Sequence, residues 1–368
     1  MRSLLRLLLL LSALLLRLHA QPSLSFFTEL PGEGFRMMLS DSSVIRDLQA
    51  MRASLRVGLL DLDAAEAEGV RMLNAAGIPA YAWLLLPEAE GYWFHAGNGG
   101  AALSRYEAFK AWSAAEGLRW AGVGIDLEPS MPEMRLLLDH PARGIVRAFG
   151  RLFDDSLTRR GAPVYAELIR RIGADGWTAE SYVIPLVLDG RATGSEGFLR
   201  LMGILDVRTP REIPMCYTSA IGNPGIIARY GAMTGAVALG STGGGVIIDG
   251  APLRAMVWEE LERDLRIAAG AAREIHIFSL EGAVKQNWLG RLRGFDFSRT
   301  LPLDTQMQEQ DQRQQAFTLR LLWWLDHPLL LSAVLIGTPL LVLALLIRLA
   351  WWLLRRFRRM KSRPDALS

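Results

Sequence analysis

The chain has almost no cysteine, little lysine and few histidines, and each scarcity excludes a class of protein. Its single cysteine, Cys216, forbids an intrachain disulfide, so stability has to come from a hydrophobic core, which 368 residues can supply. Cys216 lies in an apolar run and reads as inert packing. Lysine occurs only at Lys110, Lys285 and Lys361. Lys110 falls in a helical pattern, Lys285 beyond the last apolar run and Lys361 in the C-terminal tail, so none stands where a Schiff-base enzyme needs it. The five histidines are scattered and match no zinc-site spacing, so no metal or cofactor is expected. No G-x-G-x-x-G follows a first strand, and neither a G-x-S-x-G elbow nor a Walker loop occurs. The net charge of +3 owes much to basic clusters at the ends. The middle is near neutral, which leaves no footprint for nucleic acid.

Long apolar runs are confined to the two ends. Arg2 and Arg6 precede the run Leu7–Leu16, and Leu18-His19-Ala20 closes the segment. This reads as a secretory signal, residues 1–20, with an uncleaved anchor as the alternative. Near the other end, Leu329–Ile347 carries no charge and is about the length of 20 residues that a hydrocarbon core requires. Trp323 and Trp324 flank it on one side, Trp351 and Trp352 on the other, and Arg355, Arg356, Arg358, Arg359 and Lys361 follow. Tryptophan favours the membrane interface and clustered cations stay inside, so a single span over 327–354 with a basic cytoplasmic tail over 355–368 is expected. Both ends then place residues 21–326 outside the cytoplasm, tethered to membrane lipid.

Between the ends, short apolar runs alternate with helical stretches. The runs are Phe35–Leu39, Arg56–Leu62, Ala80–Leu86, Ala121–Leu127, Thr178–Leu186, Ile213–Ser219, Ala236–Gly240 and Glu274–Leu280. Eight strands in this order predict an α/β fold, a closed (β/α)8 TIM barrel over 21–300, with a doubly wound open sheet as the competitor. Helices are expected over Ala64–Ala76, Ser104–Glu116 and Pro252–Ala269, each stopped by a glycine at 77, 117 or 270. The stretch 301–326 is rich in Gln, Asp and Glu and reads as a polar stalk between barrel and membrane.

In such a barrel, chemistry sits at the C-terminal ends of the strands. The fourth strand ends Ile125-Asp126-Leu127-Glu128-Pro129. Asp126 and Glu128 are two apart, so they share a side of the strand. Two carboxyls so close raise one pKa, which lets a carboxyl act as an acid. The competing reading is a solvated strand end. The sixth strand offers Met215 and Tyr217, a Tyr that can stack beneath a ring and donate to substrate or simply pack in the core. The fifth adds Glu180 and Tyr182, although Glu180 falls early in its run. Glu281 follows the eighth strand as a second catalytic carboxylate across the mouth. The third strand leads into Glu88, Tyr92 and Trp93, acids and aromatics that suit a sugar-lined groove or fold back onto the barrel. Gly240-Ser241-Thr242-Gly243-Gly244-Gly245 is a flexible turn able to approach a ligand.

With the strands placed, Ala121-Gly122-Val123-Gly124-Ile125-Asp126-Leu127-Glu128 resembles the D-G-x-D-x-D-x-E strand of glycoside hydrolase family 18, the chitinase-like barrels. Met215-Cys216-Tyr217 is similar to that family's M-x-Y. The resemblance implies Glu128 as general acid, Asp126 orienting an acetamido group and Tyr217 holding it. It covers a small part of the chain, and Ala121 and Gly124 stand where the family has aspartates. Glu281 stands where the family often has a Trp floor, which suggests a two-carboxylate mechanism pairing Glu128 with Glu281. The expectation is a membrane-tethered, glycoside-hydrolase-like barrel acting on a polysaccharide at the cell envelope. The alternative is a barrel that binds carbohydrate without turnover.

Overall fold

The computed structural model describes residues 21–244, 254–337, 345–348 and 351. Eight parallel strands run in the order β6-β5-β4-β3-β2-β1-β8-β7. They are β1 (Ser23–Thr28), β2 (Ser54–Leu59), β3 (Ala80–Leu84), β4 (Gly122–Leu127), β5 (Thr178–Val183), β6 (Arg211–Pro214), β7 (Ala236–Gly240) and β8 (Glu274–Phe278). The sheet closes where Met215 bridges Ala238 and the Cys216 N–H donates to the Ala238 carbonyl at 2.8 Å. The result is the expected α/β barrel.

Helices cross between the strands. α1 (Gly32–Ser40) and α2 (Ser42–Ala50) follow β1, α3 (Ala64–Ala75) follows β2 and α4 (Gly99–Ala115) follows β3. α5 (Met131–Asp139), α6 (Pro141–Gly150) and α7 (Ser156–Ala174) follow β4. α8 (Pro185–Thr193) and α9 (Gly197–Met202) follow β5, α10 (Thr218–Ile221) and α11 (Gly225–Thr234) follow β6, and α12 (Trp258–Ala271) follows β7. After β8 come α13 (Leu280–Lys285), α14 (Leu289–Arg293), α15 (Thr305–Asp326) and α16 (Pro328–Ser332). Gly77 and Gly117 stop α3 and α4 with φ of +69° and +64°, the left-handed region that glycine adopts without strain. Gly270 instead lies inside α12.

The first strand is not where its apolar run suggested. Phe35–Leu39 lies in α1, where Phe35 and Leu39 are buried four residues apart while Met37 is 62% exposed. That is the helical period. β1 is instead SLSFFT, directly after the apolar leader. Its hydrogen-bonded partners are β2 and β8.

Residues alternate strictly across the barrel wall. Outward side chains such as Leu24, Phe26, Val57, Leu84, Val123 and Ile125 join the large core beneath the helices. Inward side chains stack in layers. The lower layer is polar: Arg56 donates to both oxygens of Glu180 at 2.9 Å and lies over the Tyr81 ring at 4.0 Å. The middle layer is aromatic, with Phe27, Trp83, Tyr182 and Phe278 meeting edge to face. β4 contributes glycine to these layers because a Cβ at Gly124 would fall on the Tyr182 hydroxyl, and one at Gly122 would press on Tyr81.

The segment expected as a polar stalk carries α15, and α15 lies along the barrel. Asp311 accepts from Arg229 at 3.1 Å and from Asn223 at 3.2 Å, and Thr318, Leu322 and Leu325 are buried. Asp326 accepts from the Gly197 N–H at 2.8 Å, fixing the helix end. Its polar composition reflects a long outer face in water rather than detachment. Among the described residues no helix is long and apolar enough to cross a membrane. The leader 1–20, much of the expected span 327–354 and the tail 355–368 lie outside the described residues.

Candidate active site

At the C-terminal ends of the strands a cleft of 310 Å³ opens, lined by Phe27, Glu29, Trp83, Trp93, Asp126, Glu128, Met134, Tyr182, Met215, Tyr217 and Phe278, among others. Period-2 alternation puts Glu29 two past Phe27, and Asp126 and Glu128 two and four past Gly124, all on the inward side. The loop after β3 fixes Glu128 further. The Phe94 N–H donates to the Asp126 carbonyl at 3.0 Å, and the Glu128 N–H donates to the Phe94 carbonyl at 3.1 Å. Asn98 holds that loop, donating to the Trp93 carbonyl at 2.9 Å and accepting from the His95 N–H at 2.8 Å.

The cleft gathers three acids, Glu29, Asp126 and Glu128. None of the residues described as lining it is Arg, Lys or His. Burial pushes the Glu128 carboxyl up to about 8, with the charge of Glu29 adding to the effect. Burial, then Glu128, then Glu29 raise Asp126 well above the ordinary range. Asp126 Oδ1 and Trp83 Nε1 are buried and make no hydrogen bond within the described residues. At neutral pH, Glu128 is therefore protonated and can donate. The Tyr92 hydroxyl donates to Glu29 Oε1 at 2.7 Å. Burial, then Glu29, raises that phenol, so it stays protonated and orients the carboxylate. The walls are aromatic, with Tyr217 stacked on Phe278 at 5.5 Å.

Of the residues singled out by sequence, Glu128, Asp126, Tyr217, Met215, Tyr182 and Trp93 meet in this cleft. Four do not line it. Glu180 is fully buried in the lower layer, where burial alone would raise its pKa, yet Arg56 holds it below the ordinary value. Glu88 lies at the surface in a short 3-10 turn, paired with Arg135. Tyr92 stands behind Glu29. Glu281 is displaced because β8 ends at Phe278 and Ser279 caps α13, so strand alternation no longer governs position 281. Its carboxyl, raised by burial, accepts from the Glu29 N–H at 3.4 Å. Among the described residues no cluster of three or more His, Cys, Asp and Glu side chains is arranged to hold a metal ion.

Sequence reasoning missed Glu29, Trp83, Phe27 and Phe278. The first and third were hidden by the misplaced first strand. Trp83 and Phe278 are apolar residues in apolar strands, and only inward parity marks them. Phe278, rather than Glu281, supplies the eighth strand's floor.

No protein-family model and no curated protein matches the chain. The proposed kinship with glycoside hydrolase family 18 thus has no family-level support. Among solved structures, a putative aldo-keto reductase from Pseudomonas aeruginosa is similar at 9% identity, covering 75% of this chain and 91% of that one, with a TM-score of 0.36.

Proposed function

We propose that this chain is a glycoside-hydrolase-like barrel that cleaves a glycosidic bond of an envelope saccharide, with Glu128 as general acid. The observation that carries the reading is the placement of Glu128 beside Asp126 and Glu29 in an aromatic-walled cleft, where burial and Glu29 raise its pKa. Aromatic faces suit the C–H faces of sugar rings, and a carboxyl with so high a pKa is the acid such a reaction needs. Glu128 gives its proton to the glycosidic oxygen as the C–O bond breaks, and the bonding pair leaves with that oxygen. Glu29, oriented by Tyr92, faces the positive charge that develops at the anomeric carbon. Water adds to that carbon and its proton returns to Glu128. Asp126 and Tyr217 hold the substrate's polar substituent. Glu29 thereby takes the part that Glu281 had in the sequence reading.

The uncharged run after α16 is proposed to tether the barrel to membrane lipid, with the barrel outside and the basic tail inside. Leu329 is 77% exposed and Leu335, Leu346 and Ile347 are largely uncovered, side chains that lipid would cover. Carbonate extraction of native membranes tests this, and release of the full chain into the supernatant would remove the tether.

A binding barrel without turnover is the second reading. It is favoured by Gly124, because Tyr182 fills the space behind Asp126 where a further acid would stand. One experiment separates the two. The full chain and Glu128→Gln are incubated with a panel of polysaccharides and peptidoglycan. The catalytic reading expects cleavage that falls about 10²–10⁴-fold in the variant. Undiminished cleavage removes Glu128 as the acid, and binding without cleavage across the panel establishes the second reading.

A further inference from the structure

Helix α6 is turned the opposite way from an ordinary surface helix. At 100° per residue, Ala142, Ile145, Val146 and Phe149 fall within one face. Such a stripe normally meets the core. Here the inward position is Gly144, where a Cβ would lie 2.6 Å from the Leu137 Cα of α5. Most of the stripe therefore faces out, with Ile145 58% and Val146 72% exposed, while Phe149 at its end is half-buried. Leu137 and Leu138 on α5 and Phe153 beyond α6 are uncovered beside it, and Arg143 and Arg147 are exposed on the adjoining face. A soluble surface rarely leaves so many apolar side chains together without a partner.

Two neighbours identify what covers this patch. Phe149 and Leu331 both pack on one cluster that includes Leu152, Phe198, Leu322 and Leu325, so α6 shares an apolar cluster with the place where α15 and α16 hand the chain to its uncharged run. On the other side, Met134 lines the cleft, and Leu137 and Leu138, three and four residues later, continue that side of α5 outward. The patch is thus continuous with the chain's apolar exit at one end and with the cleft rim at the other.

We propose that α5 and α6 form a lipid-docking surface, seated at the headgroup boundary of a bilayer with arginines at its edge, and that the cleft opens along that boundary. The substrate is then an amphiphile, a saccharide carried on a membrane lipid. This second part rests on the glycosidase reading, while the docking itself does not. Apolar faces of this kind sink into the headgroup–acyl boundary while cations at their margin meet lipid phosphates.

The test uses the full chain in phosphatidylcholine–phosphatidylglycerol vesicles, with a nitroxide attached through Val146→Cys or, as a control, through Ala114→Cys, an exposed position at the end of α4. The native Cys216 is buried and is left in place. Oxygen and a water-soluble nickel chelate then report depth. The expected result is a label at 146 lying roughly 5–10 Å below the headgroup surface and a label at 114 in water. Equal access of the chelate to both sites overturns the docking. Shielding at 146 from both agents that grows with protein per vesicle overturns it in favour of a second copy of the chain. The substrate class is read with an Ile145→Glu, Val146→Glu double variant. Loss of cleavage on a lipid-linked saccharide, with cleavage of a soluble aryl glycoside unchanged, supports an amphiphilic substrate. Equal effects on both overturn it. If the unaltered chain cleaves neither, the glycosidase reading and the amphiphile fall together, and the depth measurement still decides the docking.

Discussion

Two levels of the same barrel interior treat buried acids in opposite ways. In the lower layer Glu180 is fully buried and ionised, because Arg56 meets both its oxygens and Tyr182 donates to it at 2.9 Å. At the mouth, Asp126 is buried and Glu128 half-buried, and both face Glu29, with no cation among the described lining residues. One carboxyl is held below its ordinary pKa and the others above it. Burial opposes ionisation at both levels, so the neighbour decides. A paired acid is structural material, whereas an unpaired one stores a proton.

The comparison can be broken at either level. The largest effect is expected from Arg56→Met, which leaves Glu180 only the Tyr182 hydroxyl and, at 3.5 Å, Arg211. Chemical denaturation should show a loss of about 3–5 kcal/mol, and the double variant Arg56→Met, Glu180→Met should recover much of it. A single-variant loss below 1 kcal/mol would place Glu180 among the protonated acids instead. Next, Gly124→Ala drives a methyl onto the Tyr182 hydroxyl that links the two levels, and overpacking of this kind costs about 1–3 kcal/mol.

A pH series sharpens the comparison. The unfolded chain ionises Glu128 near its ordinary 4.5, while the folded chain keeps the proton to about 8. The folded state therefore binds more protons in this window, and the group's contribution to stability falls as pH rises through it. Thermal melts of Glu128→Gln should gain on the unaltered chain between about pH 5 and about pH 8, with no gain below that window. Any cleavage activity should decline above about pH 8 as the acid loses its proton. The smallest effect belongs to Tyr92→Phe, which removes one hydrogen bond to Glu29. It should cost about 0.5–1.5 kcal/mol and lower turnover more than substrate affinity.

The barrel was legible because six of its strands largely overlap the expected runs, while β6 starts earlier and shares only Ile213 and Pro214 with the run Ile213–Ser219. The first strand was missed for a physical reason. Phe35-Arg36-Met37-Met38-Leu39 has the composition of a strand, and only the burial of Phe35 and Leu39 reveals the helical period. The true β1, Ser23–Thr28, adjoins the leader. The site followed the same division. Asp126 and Glu128 could be read directly, since two acids ending an apolar strand share a side. Glu29 has the same relation to Phe27 and was lost with its strand. Glu180 and Glu281 show where alternation alone misleads. The first points inward but too deep, and the second lies past a helix cap that rotates it away.

The clasp on α15 also fixes where the chain beyond it leaves the barrel. Asp304 caps its start, Asp311 grips the middle and Asp326 pins its end to α9, so the chain has no slack between barrel and exit point. Under the proposed tether, a barrel braced this way would present a constant aspect to the bilayer, where one on a loose leash would meet diffusing polymers in any orientation.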